Sequence, residues 1–336
     1  MADYPFYVAE VSANHNGDLD RAKLIIRAAA KSGATAVKFQ TYKPETMTLP
    51  IKDFRVSSDH ALWGGTGLFD LYQKAMTPWE WHTELFNQAR DLGLVPFSSP
   101  FDRTAVDFLE ELNCEMYKIA SLETGDTDLI AYISQTGKPI VISTGASTLH
   151  EIQDAVDAAF SGATKKVSLL VCTSSYPAVP KEAHIRRIST LQSEFRVDVG
   201  ISDHTLGIGV SLGAIALGAK IVEKHLTLDR SDGGADSAFS MEPNEFEMLV
   251  REGNHVFDSL GSQEWSIQES EGESRKLRRS LFIVKDVKRG DEATRDNVRA
   301  LRPNLGGEIK NIDLILGKHF VSDFPTGSPA LINTVE

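Results

Sequence analysis

Eight short apolar runs recur along the first two-thirds of this chain, at 6–11, 36–40, 94–98, 116–120, 139–143, 167–172, 197–201 and 220–223. Each has strand length and is nearly continuous in apolar residues, the pattern of a strand covered on both faces. Helix-like stretches separate them at 20–32, 79–92, 103–112, 148–160 and 206–217, and Ser147-Thr148 followed by Glu151 reads as a helix cap. Strands alternating with amphipathic helices predict a parallel sheet with helices packed over it. Eight such units in about 250 residues match the size of a (β/α)8 TIM barrel. The rival is a doubly wound open sheet, which usually carries a glycine-rich phosphate loop after its first strand. Here that position reads Ser12-Ala13-Asn14-His15-Asn16-Gly17, without the required spacing. The expectation is an α/β barrel.

The same reading divides the chain into a barrel at 1–262, a polar linker at 263–279 and a small β-rich domain at 280–336, with short strands at 281–284 and 314–316. Between the second and third runs, 43–77 contains Trp63-Gly64-Gly65-Thr66-Gly67 but no clear element. Loops of that length are usually functional or mobile. The formal net charge of −12, with no basic stripe, argues against a nucleic-acid partner. No apolar run reaches the ~20 residues of a membrane span. Met1 leads into the first strand with no basic-then-apolar leader, and Cys114 and Cys172 both fall in apparent strands, as reduced core thiols do. A soluble cytoplasmic protein is expected.

In a parallel barrel the strand C-termini open on one face, where the chemistry sits. The residues at those ends are Glu10 and Asn14, Lys38 and Gln40, Ser98 and Ser99, and Lys118 and Ser121. They continue with Ser143 and Thr144, Thr173, Ser174 and Tyr176, Ser202 and His204, and Glu223 and His225. Side chains alternate along a strand, so Lys38 shares a face with Gln40, Ser202 with His204, and Glu223 with His225. His204 and His225 lie 21 residues apart in a strand–helix–strand unit, which brings both imidazoles out at one sheet edge. Two neutral imidazoles there suit a divalent metal such as manganese or zinc, although a single strand histidine is more often structural. Lys38 and Lys118, with the hydroxyls of Ser121, Ser143 and Thr144, suit a phosphate or carboxylate. The alternative is that each lysine pairs with Glu10 or Glu223 and serves only structure.

Taken in order, the motifs resemble the sialic acid synthase family, which condenses phosphoenolpyruvate with a sugar aldehyde into nine-carbon acids. They are Ala13-Asn14-His15-Asn16-Gly17, Val37-Lys38-Phe39-Gln40, Ser98-Ser99-Pro100-Phe101-Asp102 and Tyr117-Lys118-Ile119-Ala120-Ser121. Ile142-Ser143-Thr144-Gly145, Cys172-Thr173-Ser174-Ser175-Tyr176-Pro177, Ser202-Asp203-His204-Thr205 and Glu223-Lys224-His225 complete the series. The resemblance implies a catalytic TIM barrel followed by a C-terminal antifreeze-like (SAF) domain, which in the family caps the partner's active site in a domain-swapped homodimer. It implies that His204 and His225 hold manganese or magnesium. Lys38, Ser99, Lys118, Ser121, Ser143, Ser174 and Ser202 match positions that grip phosphoenolpyruvate. Glu10 matches a glutamate that positions or deprotonates water, so the implied catalytic set is Glu10, His204 and His225. Gln40, Tyr176 and Asp236 match contacts to the amino-sugar aldehyde, and Arg302 matches an SAF-domain arginine that reaches the acceptor across the dimer. Ser99 and Ser174 stand where other branches carry Thr and Asn, and the loop after Arg302-Pro303 is longer than usual in the family.

Within the family, Leu62-Trp63-Gly64-Gly65, Thr77-Pro78-Trp79-Glu80-Trp81-His82 and Asp236-Ser237-Ala238-Phe239-Ser240 are similar to the pseudaminic acid branch. The implied acceptor is 2,4-diacetamido-2,4,6-trideoxy-L-altrose, with N-acetylneuraminate or legionaminate synthesis as the near alternatives. A different class fits the barrel alone: a Schiff-base aldolase with Lys38 or Lys118 as nucleophile. A third reading makes the C-terminal segment a carbohydrate- or ice-binding module beside an inactive barrel. The complete ring of polar strand ends argues against that.

Overall fold

The computed structural model describes residues 4–59 and 62–336; Met1 to Asp3, on which the reading of the leader rests, lie outside them. The chain forms two compact units, Met1–Gly261 and Ser262–Glu336. In the first, eight parallel strands close into a barrel among the described residues. They are β1 (Phe6–Glu10), β2 (Ala36–Thr41), β3 (Val95–Pro100), β4 (Tyr117–Ile119), β5 (Ile140–Ser143), β6 (Val167–Cys172), β7 (Asp198–Ser202) and β8 (Ile221–His225). Each predicted run thus becomes a strand. β1 bonds to β2 on one side and β8 on the other, so the sheet has no edge.

Helices cover the barrel: α1 (Leu19–Lys31), α2 (Pro44–Met47), α3 (Leu68–Ala75), α4 (His82–Asp91), α5 (Arg103–Glu111), α6 (Thr127–Ser134), α7 (Leu149–Phe160), α8 (Arg187–Phe195), α9 (Gly209–Ala216) and α10 (Pro243–Ser259). Their local logic is plain in α1. The Asp18 carboxylate accepts from the Asp20 and Arg21 N–H groups at its start, and Ala22, Ile25, Ile26 and Ala29 form the buried stripe. The cap expected at Thr148 is present as a reciprocal box with Glu151.

Three expectations are corrected. The 43–77 stretch is not featureless, because it carries α2 and α3. The helices α6, α8 and α10 were not anticipated. Cys114 is buried but precedes β4 rather than lying in a strand.

In the second unit, β9 (Ser280–Ile283) pairs antiparallel with β10 (Val298–Leu301) over a small core that includes Leu281, Ile283, Val298, Ile315, Phe320 and Ala330. The strand expected at 314–316 is absent: a 3-10 turn, Ile309–Leu314, runs into it, and β10 takes the place in the sheet. The stretch read as a linker carries the short helix α11 (Gly272–Lys276).

Candidate active site

Strand register sets the site. Glu10 ends β1 opposite Lys38 on one side and His225 on the other, and Ser202 faces Glu223 across β7 and β8. Paired residues in adjacent parallel strands point the same way, so these side chains converge inside the barrel mouth. The Lys38 ammonium is in tight contact with the Glu10 carboxylate, lies 3.8 Å from Glu223 and reaches Ser99 Oγ at 3.4 Å. Ser202 Oγ donates to Glu223 Oε1 at 2.9 Å, and the Ser12 N–H donates to Glu10 Oε1 at 2.9 Å. One strand pair further round, Lys118 donates to Ser143 Oγ at 2.6 Å and to its neighbour's carbonyl, Ile119 O, at 2.9 Å.

Burial polarises this cluster. It pushes the Glu10 carboxyl up to about 7; Lys38 opposes that rise, and Glu223 adds to it. Burial also works against the Lys38 ammonium, but Glu10 and Glu223 outweigh it and lift its pKa. For Glu223 the desolvation cost is overcome by Lys38, Lys118 and Ser202, and its pKa falls. Two neighbouring carboxylates are thereby pushed in opposite directions, the arrangement that separates a proton carrier from a fixed charge. The structural alternative for Lys38, pairing with Glu10 and Glu223, is therefore realised in the resting protein. Among the described residues Lys118 makes no comparable ion pair, and burial lowers its pKa although Glu223 opposes the fall.

The two imidazoles stand 5.3 Å apart between ring centres. His204 Nδ1 lies 3.0 Å from Thr173 O, a carbonyl that can only accept, so Nδ1 carries the proton and Nε2 is the basic nitrogen of the neutral ring. Burial, reinforced by His204 and the nearby lysines, holds His225 far below the ordinary imidazole range. Its Nδ1 and Glu223 Oε2 are buried without a hydrogen-bond partner among the described residues. Asp236 Oδ2 lies 3.8 Å from His225 Nδ1 and accepts from the Ala13 N–H at 3.3 Å. Among the described residues no group of three or more His, Cys, Asp and Glu side chains could enclose a metal ion. Burial works against charge on His204 as well, but the Cys172 sulfur outweighs it and lifts its pKa, so His225 is the imidazole held neutral. The pair fits a divalent cation once His204 Nε2 is free of a proton.

A cavity of about 440 Å³ adjoins His225. Gln40, Ser121, Ser174 and Tyr176, from the strand ends, line it together with Asp236. Gly145 lets the loop after β5 pass close by, since a Cβ there would collide with the Ser174 and Ser121 hydroxyls. Ser99, Ser143 and Ser202 lie beneath, buried, on their strands. Arg302 belongs to the second unit and is exposed just past β10.

Other lining residues escaped the sequence reading. Met47, Val56, Leu68, Leu71 and Tyr72 form an apolar wall. They come from the long stretch after β2, where only the amphipathic spacing of 68–75 offered a signal. Trp63 donates its indole N–H to Ala235 O at 3.0 Å and packs on Tyr176 at 5.6 Å. Glu123, just after β4, also faces the cavity, and burial raises its pKa to about 7 despite Lys118. Cys172, expected as a reduced core thiol in a strand, is free and buried there. It closes β6, its sulfur lies 3.9 Å from His204 Nδ1, and His204 outweighs burial to bring it down to about 7.

Comparison with known proteins agrees with this arrangement. The NeuB family matches residues 25–265 and the SAF domain matches 278–336. Pseudaminic acid synthase of Helicobacter pylori is 42% identical over all of this chain and 99% of the relative. Its counterpart in Campylobacter jejuni subsp. jejuni serotype O:2 is 37% identical over 96% of this chain and 94% of the relative. Among solved structures, N-acetylneuraminic acid synthetase of Leptospira borgpetersenii superposes with a TM-score of 0.72 at 32% identity, over 81% of this chain and 90% of that one.

Proposed function

This chain belongs to the NeuB family, and from that premise we propose how its barrel mouth works as a pseudaminic acid synthase. The reaction is a carbon–carbon bond-forming transfer from phosphoenolpyruvate to 2,4-diacetamido-2,4,6-trideoxy-L-altrose, with water consumed and phosphate released. The observation that carries the assignment of roles is the meeting of Lys38, Glu10, Glu223, Lys118 and two imidazoles at one end of a closed barrel. Lys118 and Lys38, with the hydroxyls of Ser99, Ser121, Ser143, Ser174 and Ser202, hold the phosphate and carboxylate of phosphoenolpyruvate. The incoming anion relieves a crowded ion cluster and gives Lys118 a direct counter-charge.

His204 and His225 hold a divalent cation, manganese or magnesium. When bound, it polarises the sugar aldehyde as a Lewis acid. The vinyl carbon of phosphoenolpyruvate then bonds to the aldehyde carbon, whose oxygen takes a proton from Glu10 to become an alcohol and leaves that carboxylate free to accept one from water. Water adds to the resulting cationic carbon, Glu10 takes its proton, and the tetrahedral carbon expels phosphate by C–O cleavage. Glu223 stays ionised beside Lys38. Gln40, Tyr176 and Asp236 orient the acceptor, so much of the rate arises from holding two substrates in register.

The apolar wall supports a 2,4-diacetamido-6-deoxy acceptor, the altrose derivative or its legionaminate-type stereoisomer, over N-acetylmannosamine. The altrose derivative offers three methyl groups, two on acetamido arms and one at C6, and Leu68, Leu71, Val56 and Met47 provide matching surface. N-acetylmannosamine would set a hydroxyl against it. Phosphate release in the presence of phosphoenolpyruvate and Mn2+, with each acceptor in turn, tests this directly. The altrose derivative should be turned over fastest, and equal or faster use of N-acetylmannosamine or the legionaminate precursor would overturn the acceptor reading. A borohydride-trapped imine with a keto acid would instead support the aldolase alternative.

We place Arg302 on the acceptor of a second subunit in a domain-swapped homodimer. The exposed apolar residues beside it, Leu301, Leu305 and Ile309, support a covering role for this face of the small unit. A cytoplasmic site of action follows from the need for phosphoenolpyruvate, a charged metabolite of that compartment. No helix among the described residues is long and apolar enough to cross a membrane.

A further inference from the structure

His204 and His225 each have a charged neighbour that points the other way. Asp203 precedes His204 and Lys224 precedes His225, and strand alternation sends both behind the barrel wall toward α9. Their side chains are 1% exposed, and Lys224 Nζ lies 3.2 Å from Asp203 Oδ2. The ammonium also donates to Thr205 O at 2.5 Å and Gly207 O at 3.2 Å. Asp203 Oδ1 accepts from the Thr205 N–H and Oγ1 at 2.8 and 2.7 Å, and Oδ2 accepts from Ser211 Oγ at 2.6 Å. All three ammonium protons and both carboxylate oxygens are engaged.

The position of this network is informative. Residue pairing between β7 and β8 ends at Ser202 and Glu223, one residue short of Asp203 and Lys224 and two short of the imidazole on β7. One backbone bond follows, from the Asp203 N–H to Glu223 O at 2.9 Å, and beyond it the Lys224 ammonium ties the loop that follows His204 to the strand end that carries His225. A buried ion pair is a poor device for stability alone, because an apolar pair of similar volume is often as stable or more so.

We infer that Asp203 and Lys224 are positioning residues that fix the separation and aim of His204 and His225, and thereby the affinity for the divalent cation. This rests on the proposed metal role of the two histidines, and it adds a function for a buried pair that touches neither substrate. Ser211, on α9, completes the clamp.

Mn2+ titrated into metal-stripped full-length enzyme, with the free ion read by electron paramagnetic resonance, tests it. Circular dichroism and thermal unfolding are recorded on the same samples. Folded Lys224→Met should bind Mn2+ about 10- to 100-fold more weakly, the usual range for removing an outer-shell partner. Asp203→Asn combined with Lys224→Met should recover stability while affinity stays low. If affinity recovers with stability, the pair serves structure alone and the inference is wrong. Should Lys224→Met not fold, Ser211→Ala carries the test: a several-fold loss of affinity supports the clamp, and wild-type affinity refutes it. Wild-type enzyme that takes up no Mn2+ would overturn the metal assignment itself, and the clamp with it.

Discussion

The two units of this chain treat charge in opposite ways. The barrel buries Glu10, Lys38, Lys118, Asp203, Glu223, Lys224 and Asp236. The small unit buries only Ser280 and Thr334 among polar side chains, and its ion pairs, such as Lys288–Asp323, are exposed. Desolvating a charge costs several kcal/mol even after relaxation. A fold bears that cost repeatedly only where the charges are paired with one another or have a ligand to receive. We therefore expect binding and catalysis to draw on the buried charge of the barrel mouth, and the small unit to act through its surface.

The strongest way to break that comparison is to remove a buried group whose role is chemical. His204→Ala should lower turnover by roughly a hundredfold or more, since Lewis-acid polarisation is worth several kcal/mol and about 1.4 kcal/mol is tenfold. The fold should persist, because the His204 ring contacts the Thr173 carbonyl, the Cys172 sulfur and the rings of Tyr176, His225 and Phe239, and none of these is a strand-pairing bond of the barrel. Steady-state phosphate release with a parallel Mn2+ titration checks it. Full activity with metal still bound at wild-type stoichiometry would remove His204 from the site.

In the small unit the largest effect should come from packing. Phe320 is fully buried and contacts Phe324 edge-to-face, with ring centres 6.1 Å apart. Phe320→Ala should cost about 3–5 kcal/mol by leaving a cavity. Hydrogen exchange should show that loss in 280–336 while the barrel amides keep their protection. Equal loss in both would mean that the units do not unfold separately. Arg302→Ala should be smaller, about a tenfold rise in KM for the acceptor, or ~1.4 kcal/mol, with phosphoenolpyruvate KM unchanged. A change confined to phosphoenolpyruvate would show that the small unit does not reach the acceptor.

The same contrast explains what the sequence made legible. Barrel strands are apolar on both faces, so each run stands out, and period-two alternation places Lys38, Ser202, His204, Glu223 and His225 on the inner face without coordinates. The small unit spreads its core over turns and bridges. Leu314–Leu316 therefore looked like a strand, although only Ile315 is buried and a 3-10 turn ends at Leu314. Helix α10 escapes a reading of the sequence although Phe246, Leu249 and Gly253 follow its buried face, because Pro243 and Asn244 between Glu242 and Glu245 open it like a loop. Pro243 stands in the first turn, where its missing N–H is harmless. Asp236, Glu123 and Trp63 share a different obstacle. They sit on loops, and only closure of the barrel brings them to one cavity. Asp236 was found by resemblance, and Glu123 had no local signal at all.

The smallest effect should come from the exposed pair, and there the pH dependence carries the information. Lys288 Nζ is 2.8 Å from Asp323 Oδ2, and the Arg289 N–H donates to Oδ1 at 2.9 Å. Lys288, then that N–H, holds the Asp323 carboxyl below its ordinary value. A depressed carboxyl stabilises the fold above its unfolded pKa, about 3.9 for aspartate, and that contribution disappears as pH falls through the lower folded value. Lys288→Ala should therefore leave Tm near neutrality almost unchanged and flatten the loss of stability below about pH 4, an effect that salt also reduces. Thermal melts of both proteins between pH 3 and 7 at two salt concentrations would decide. A large Tm drop at neutral pH would show that surface charge supports the small unit far more than its exposed geometry implies. The opposition between buried and exposed charge would then fail as an account of the two units.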